Sequence, residues 1–376
     1  MKIKNIPGLA AVIVRDGLDR GGAAGDNSDH VHEAIQWLCR AQDATADGGV
    51  SEGFHFYHGW LPSYPETSGY IIETFFDYAA HTADNTYSAR AIRMADWLIS
   101  VQNPDGAIPD SYFREQMVFD TGQVLFGFVR AWQETGNEKY LQAAHRSGKW
   151  LIACMNSDGT WTKCALNQIP HTYYSRVAWS LLVLHSVSNE QGYVDAAAGH
   201  INWVQKQQEK DGWFRNAGFS TSGNMAPFTH TIAYTIRGVL ECGLYLNNPD
   251  FLQTAMRAAD AIAKTLPGNG RMPGTYGPQW TGDARFSCLT GNAQMAIVYG
   301  KLYKHSGNDR YLRSCRALNH YLKTRQDITT RNMGLRGAVA GSFPVWGKYI
   351  HFCYPNWAAK FLVDSLMLEQ DLDPPD

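Results

Sequence analysis

Residues 157–161 read SDGTW, and a glycine turn of this kind recurs along the whole chain. The Asp-Gly pairs that begin at positions 105, 158 and 211 follow one another at a constant interval of 53 residues. The six copies read DGGV (47–50), PDGAIPD (104–110), SDGTW (157–161), KDGWF (210–214), GNGRMPG (268–274) and a degenerate NMGLRG (332–337). A fixed period of this length is typical of proteins built from one repeated supersecondary unit.

Two kinds of helical pattern flank each turn. The segment before it is amphipathic, as in AAHRSGKWLIACM, and the glycine that follows is a helix-stop signal. The segment after it is apolar nearly all round, as in YSRVAWSLLVLHSV, which is typical of a helix buried in the middle of a fold. Six alternating pairs predict an all-α protein, an (α/α)6 barrel or toroid of six inner helices ringed by six outer ones.

The pattern also predicts the domain organisation. No Pro/Ser-rich linker interrupts the repeats, so we expect one toroid domain over residues 29–376, preceded by an N-terminal extension, residues 1–28. A hairpin in the loop 333–350 is the one place where strands are expected.

Composition excludes several classes of function. The formal net charge is −2 and no basic block is present, so nucleic acid is not an expected partner. The seven cysteines form no CxxC pattern, which argues against a disulfide framework and a zinc site. We therefore predict no cofactor and no metal, although calcium bound by loop carbonyls would leave no spacing to recognise. Oligomeric state stays open.

The sequence contains no apolar run long enough to span a membrane, and the first apolar stretch is too short for a secretion signal. The scattered cysteines fit a reducing compartment, so a cytoplasmic protein is expected, or a periplasmic or secreted one if a leader has been removed.

In such a toroid the amino ends of the inner helices open at one end of the barrel, where their unpaired N–H groups suit an anionic or polyhydroxylated ligand. The first turns of these helices carry the candidate site residues. In chain order these are Glu66, Asp120, His171, Tyr173, Tyr174, Arg176, His230, Tyr234, Arg237, Asn292, Tyr354, Asn356 and Trp357.

Glu66 and Asp120 lie one repeat apart, on neighbouring inner helices. Two carboxyls in this arrangement are typical of a general acid and base, with Asp110 as a spare. The alternative is that each carboxylate only stabilises the amino end of its own helix.

Two histidine segments provide a second constellation. In THTIAYTIRG, His230, Tyr234 and Arg237 are spaced i, i+4 and i+7, which places them on one helix face. HTYYSR opens the preceding inner helix in the same way. Arginine and histidine are costly to bury without an anion, and a guanidinium binds a carboxylate bidentately, so both segments favour recognition of an acidic sugar. The alternative is a buried polar ladder between helices.

The loops FHFYHGW (54–60) and PVWGKYIHFCYPNW (344–357) are dense in aromatic residues and histidine. They predict sugar stacking by Trp60, Trp346 or Trp357, with His58 or a neighbouring histidine bonding hydroxyl groups. The alternative is a hydrophobic plug that seals the barrel.

The turns SDGTW and KDGWF resemble the QW-type repeats of terpenoid cyclases and protein prenyltransferases, although the DxDD and DDxxD motifs of those families are missing. FDTGQVLFGFVRAWQETGNEKYLQAA, HTYYSRVAWSLL, DGWFRNAGF, THTIAYTIRG, SCLTGNAQMA and YPNWAAKFLVDSL together resemble the VpsJ-like proteins of bacterial exopolysaccharide clusters. This resemblance implies a toroid acting on polysaccharide. The chain is more distantly similar to glucuronyl C5-epimerases, to α/α-barrel polysaccharide lyases and, around Asp120, to unsaturated-uronyl hydrolases.

Three functions follow as hypotheses. The favoured one is proton abstraction at C5 of a uronic acid in a poly- or oligosaccharide, giving β-elimination or epimerisation. His230 or His171 would be the base, Tyr234 or Tyr174 the second proton carrier, and Arg237 or Arg176 the carboxylate partner.

The remaining candidates, Tyr173 and Asn292 with the residues of the two aromatic loops, would bind substrate. The second hypothesis is glycoside hydrolysis by Glu66 and Asp120. The third is a non-catalytic saccharide-binding protein.

Overall fold

A computed structural model describes residues 6–220 and 226–372. Thirteen α-helices lie within these ranges. They are α1 (Ile6–Gly17), α2 (Asn27–Asp43), α3 (Pro65–Thr82), α4 (Asn85–Val101), α5 (Val118–Thr135), α6 (Glu138–Ala153), α7 (Ser175–Ser188), α8 (Gln191–Lys206), α9 (Thr229–Tyr245), α10 (Pro249–Thr265), α11 (Leu289–Ser306), α12 (Asp309–Arg325) and α13 (Asn356–Gln370).

The odd-numbered helices from α3 to α13 form a closed inner ring. Each packs against the next, and α13 returns to pack against α3. The helices α4, α6, α8, α10, α12 and α2 form the outer layer, with α2 packed on α13. The predicted (α/α)6 toroid is therefore confirmed, and its hydrophobic core lies between the two rings.

The recurrent turn glycines hold the repeats together. Gly48, Gly106, Gly159, Gly212, Gly270 and Gly337 all have positive φ angles, between 75° and 102°. A Cβ added at Gly212 or Gly337 would collide with the backbone carbonyl of Arg257 on α10 or of Glu33 on α2. Each of these two turns therefore packs directly on the next outer helix, and Gly337 closes the ring onto the first one.

Glutamines at the ends of four outer helices tie the same turns to the next repeat. They are Gln42, Gln102, Gln208 and Gln326. The Gln208 amide, for example, donates to the Gly212 carbonyl (3.2 Å) and to the Thr254 carbonyl of α10 (2.9 Å). Because each amide pairs two buried carbonyls, the seam between repeats carries few unsatisfied backbone groups.

In the described part of the chain, five short strands lie at the mouth of the barrel. The strand β1 (Gly53–His55) pairs with β2 (Gly59–Trp60) and β5 (Cys353–Pro355), and β3 (Ser287–Cys288) pairs with β4 (Ser342–Phe343). The hairpin expected within residues 333–350 is wrong, because the strand in that loop pairs with a segment more than fifty residues earlier in the chain.

The helix α1 packs on the toroid through Leu9 and Val12, and the buried Asp16 carboxylate accepts a hydrogen bond from the Val345 amide (2.9 Å). Part of the predicted extension is thus joined to the same core. All seven cysteines are free. Within the described ranges, no helix has the length and apolar character needed to cross a membrane.

Candidate active site

A cleft of about 260 Å³ lies where the inner helices begin. Its wall is formed by the first turns of α3, α5, α9 and α13 and by the loops that lead into them. The lining residues are Glu52, Tyr64, Glu66, Tyr70, Met117, Phe119, Asp120, Leu166, Tyr173, Tyr174, Phe219, His230, Thr231, Tyr234, Tyr349, Ile350 and Trp357. Three of these side chains are carboxylic acids and the described lining contains no lysine or arginine.

Glu66 and Asp120 both face this cleft from neighbouring inner helices. Neither residue caps its helix. The N-cap positions of α3 and α5 are Tyr64 and Met117, and no side-chain capping bond is formed at the amino end of either helix. The two carboxyls therefore point into the cleft and not back along their helices.

The two carboxyls differ in environment. Burial raises the pKa of Glu66 to about 7, while the Tyr64 hydroxyl and the Arg176 guanidinium act to lower that pKa. Burial raises the pKa of Asp120 well above its usual range, and the neighbouring Glu66 carboxylate raises it further. The negative charge of an ionised Glu66 therefore favours the protonated form of Asp120.

Tyr64 lies between the two acids, and its hydroxyl interacts with both carboxyl groups. The Oδ2 atom of Asp120 is buried and has no hydrogen-bond partner in the part of the chain that the structure describes. A protonated carboxyl oxygen at this position is available to donate to a ligand in the cleft.

His230 lies at the start of α9, on the same cleft. Its Nδ1 atom is 3.1 Å from Oε1 of Gln294, which can only accept a hydrogen bond, so the proton of the ring is on Nδ1 and the lone pair is on Nε2. The ring packs between Tyr234 (4.3 Å between ring centres) and Tyr349 (5.2 Å). Burial lowers the pKa of His230 to about 3, so the imidazole is neutral.

Tyr234 forms part of the cleft floor, and Arg176 lies beneath it. The guanidinium carbon of Arg176 is 4.7 Å from the Tyr234 ring centre, and its Nε donates to Gln123 Oε1 (2.8 Å). Arg176 does not line the cleft, contrary to the expectation that it binds substrate there. It acts on the cleft through its field, because it lowers the pKa of Glu66.

Tyr173 and Tyr174 line the opposite wall, as expected. The Leu166 amide donates to the Tyr174 hydroxyl (3.0 Å). His171 does not line the cleft. Its ring nitrogens lie 2.8 and 3.1 Å from the carbonyl oxygens of Leu166 and Gly218, and its ring packs on both tyrosines, so it positions the wall.

Arg237 is not at the mouth, and this corrects the expectation that it shares the site of His230 and Tyr234. Its Nε donates to Glu241 Oε1 (2.6 Å), and its guanidinium stacks on Trp179. It points into a separate cavity nearer the carboxyl ends of the inner helices.

Three other predicted binding residues are part of the scaffold. The Asn292 amide donates to the Gly270 carbonyl (2.9 Å), and the Asn356 amide donates to the Ser51 carbonyl (2.9 Å) and to Thr67 Oγ1 (2.8 Å). Tyr354 is buried on β5, and its hydroxyl interacts with Arg15 of α1. All three lie outside the cleft lining because they tie loops to helices.

The aromatic loops fit neither interpretation as a whole, because one residue lies where a sugar could stack and another packs as part of a hydrophobic plug. Trp357 lines the cleft, and its indole N–H donates to the Tyr349 hydroxyl (2.9 Å). Trp60 instead packs against Trp37 and Phe54, as a hydrophobic plug does. His58 packs on His55, and Trp346 is 43% exposed, both away from the cleft.

Several lining residues were not predicted, above all Tyr64 and Tyr349. Gln294, which positions His230 from outside the lining, was not predicted either. Tyr64 stands two residues before Glu66, and Phe119 directly precedes Asp120, so a search of the residues before each carboxylate would have found them. No local pattern marks Gln294, whose role depends on a contact with another helix.

The family described as the squalene-hopene cyclase C-terminal domain matches residues 62–239, which span α3 to α9. This match agrees with the QW-type resemblance of the turns. No curated protein matches the chain.

Solved structures resemble the whole fold. An unsaturated glucuronyl hydrolase from Bacillus sp. GL1, described as responsible for the degradation of glycosaminoglycan, is 14% identical over 91% of this chain and 96% of its own, with a TM-score of 0.74. A second, from Streptococcus agalactiae, is 12% identical over 99% of both chains (TM-score 0.71). A cellobiose 2-epimerase from Spirochaeta thermophila DSM 6192 is 11% identical over 99% and 100% (TM-score 0.73). At these identities the likeness establishes the fold.

Proposed function

We propose that the chain is a carbohydrate-active enzyme that hydrolyses a glycosidic bond with Glu66 and Asp120. The observation that carries this proposal is that the two carboxyls face one cleft in different environments, where the charge of Glu66 raises the pKa of Asp120. A pair of acids with different proton affinities is what glycoside hydrolysis requires.

The chemistry assigns one role to each carboxyl. Asp120 donates its proton to the glycosidic oxygen as the bond from that oxygen to the anomeric carbon breaks. The ionised Glu66 takes a proton from water, whose oxygen forms the new bond to that carbon. Tyr64, between the two, positions both groups.

The cleft lining favours an uncharged sugar at the reacting position. The acidic substrate expected from sequence depended on Arg176 and Arg237, and neither lines the cleft. A uronate carboxylate would therefore meet Glu52, Glu66 and Asp120 with no cation to neutralise it. The aromatic walls provide flat surfaces for stacking a sugar ring. A volume of about 260 Å³ lies below the ~300–1,000 Å³ typical of ligand pockets, which suits a single ring at the end of a chain.

The structural neighbours give general support. They include unsaturated glucuronyl hydrolases and cellobiose 2-epimerases, enzymes that act on carbohydrates. They support carbohydrate chemistry in this toroid and do not decide between hydrolysis, elimination and epimerisation.

A second candidate function is proton abstraction from a sugar carbon, as in an epimerase or lyase. One observation favours it: the neutral imidazole of His230, held by Gln294, presents the Nε2 lone pair beside Tyr234. Against it, no described cation lines the cleft to stabilise an enolate.

The proposal can be tested by incubating the protein with a panel of neutral and uronate oligosaccharides in water labelled with both ¹⁸O and deuterium. We expect new reducing ends from a neutral substrate, with the water oxygen in the product, and their loss in D120N and E66Q. Product with a C4–C5 double bond, or solvent deuterium at a sugar carbon without cleavage, would support the second candidate instead. Unchanged activity in both variants would contradict the proposed roles.

A further inference from the structure

A second cavity lies at the other end of the barrel, towards the carboxyl ends of the inner helices. We call it the lower cavity; its volume is about 640 Å³, and its walls include Glu73, Arg176, Trp179, Arg237, Lys301 and Lys360. It is separated from the cleft by a floor of side chains, because Arg176 lines the lower cavity while Tyr234, directly above its guanidinium, lines the cleft.

Two of the cations in this cavity, Arg237 and Lys301, share one carboxylate. Glu241 accepts a hydrogen bond from Arg237 (2.6 Å) and lies 3.5 Å from the Lys301 ammonium. Arg176 has no carboxylate partner among the described residues, and only its Nε is hydrogen-bonded, to Gln123. Arg176 is 3% exposed and lines the cavity, and its guanidinium also packs over the rings of Phe126 and Tyr234.

The two guanidiniums converge on the same ring. Their carbons lie 5.2 Å (Arg176) and 5.0 Å (Arg237) from the centre of Trp179. The positive charge of Arg237 is the main cause that lowers the pKa of Lys301, which places these cations within range of one another. The three positive charges of Arg176, Arg237 and Lys301 face two carboxylates, Glu241 and the Glu73 of the same wall.

The other charges around the cavity are mostly paired. Asp77 pairs with Arg130 (2.8 Å), Asp371 with Lys304 (3.7 Å), and Asp364 with Lys360. His81 lines the rim, and Glu73 lines the wall without an ion pair in the described chain. Burial raises the pKa of Glu73, and the charges of Lys360 and Arg176 act to lower it. With Glu73 and Glu241 both counted as carboxylates, Arg176, Arg237 and Lys301 still exceed them by one positive charge.

We propose that the lower cavity is a second binding site, for a small oxyanion such as a phosphate group or a dicarboxylate, held by Arg176, Arg237 and Lys301. The excess positive charge of the cluster favours an anion, and the two guanidiniums provide donors in the planar geometry that oxyanions accept. This proposal does not depend on the reaction proposed for the cleft.

Isothermal titration calorimetry with inorganic phosphate, against chloride at equal ionic strength, tests the site, and malonate distinguishes a phosphate from a dicarboxylate ligand. We expect saturable binding of at least one of the two by the wild type. K301Q, which keeps the Arg237–Glu241 pair, and R176Q are expected to weaken it about tenfold or more.

Two variants serve as controls. D120N, in the cleft, and K206Q, at the exposed end of α8, should bind as the wild type does. No saturable binding of either anion overturns the proposal. So does binding that D120N abolishes and K301Q leaves unchanged, because the anion would then occupy the cleft. Retained binding in D120N that has lost activity separates this site from the proposed function.

Discussion

The guanidinium carbon of Arg176 lies 4.7 Å from the centre of the Tyr234 ring, with the cleft on one side of this contact and the lower cavity on the other. A buried cation therefore stands under a site whose own described lining has none. It does not touch a ligand in the cleft, but it stabilises the ionised form of Glu66 across the floor.

Activity is expected to follow a bell-shaped pH profile. It should fall at low pH as Glu66, whose pKa is about 7, becomes protonated, and at high pH as Asp120, whose pKa is raised well above the usual range, loses its proton. In R176Q the cation that lowers the pKa of Glu66 is gone, so the acidic limb should move to higher pH. Measuring kcat/KM against pH for both proteins checks this, and an acidic limb at the same position in R176Q would contradict it.

D120N should lose activity and gain stability. The folded state keeps the Asp120 proton above the pH at which the unfolded chain, with a pKa near 3.9, releases it. The free energy of unfolding of the wild type therefore falls as pH rises from the pKa of the unfolded chain to the raised pKa of the folded protein. The asparagine of D120N does not titrate, so this loss of stability does not occur in the variant. We expect a gain on the order of 1–3 kcal/mol at neutral pH, measured by urea denaturation.

D110N is the matched control for D120N. Asp110 lies in the loop before α5, where its carboxylate accepts a hydrogen bond from the Arg114 amide (2.7 Å) and does not line the cleft. D110N should retain activity, and because the Asp110 charge contributes to raising the pKa of Asp120, the basic limb of its pH profile should move only to lower pH. Equal loss of activity in the two variants would show that the charge and not the position matters.

His230 should make the protein sensitive to acid. Its pKa is lowered to about 3 in the folded state, while the unfolded ring titrates near 6.5. As pH falls from about 6.5 towards 3, the unfolded chain binds a proton that the folded protein does not, so stability is lost. The difference in unfolding free energy between wild type and H230Q should shrink over this range, whereas H320Q, at an exposed histidine, should follow the wild type. A constant difference would indicate that the folded protein protonates His230.

R237Q should destabilise the fold without impairing the cleft. It breaks the buried Arg237–Glu241 pair and leaves Glu241 with Lys301 alone, at 3.5 Å. We expect a cost of about 1–3 kcal/mol in the free energy of unfolding, with activity per folded molecule retained.

R215Q provides the comparison, because Arg215 and Glu209 form an exposed pair (3.3 Å) that should contribute little. Loss of activity in stable, folded R237Q would instead indicate that Arg237 takes part in the active site.

The periodic turns were sufficient to predict the toroid. Glycines such as Gly159 and Gly212 are needed wherever a turn packs on the next helix, so they recur at the interval of the repeat. The sequence pattern does not show in the same way how far along the barrel axis a side chain lies. His230 and Arg237 share a helix face, but seven residues at 1.5 Å each separate them by about 10 Å along α9, which places one in the cleft and the other in the lower cavity.

Contacts between residues that are far apart in the sequence could not be predicted either. The amide of Gln294 decides which nitrogen of His230 holds a proton, and Gln208 joins two repeats, but each depends on a neighbour that only the folded ring supplies. Glu66 and Asp120 were found because both the repeat and the helix start mark their positions.

Closure of the ring sets the order in which the cleft becomes complete. The last helix, α13, fits between α3 and α11, is covered by α2, and carries Trp357 of the cleft wall. While the chain is being made, five inner helices can collapse together, yet their amino ends enclose no finished site. Capacity to bind substrate should therefore arise in a single late step, when α13 closes the ring against α2 and α3.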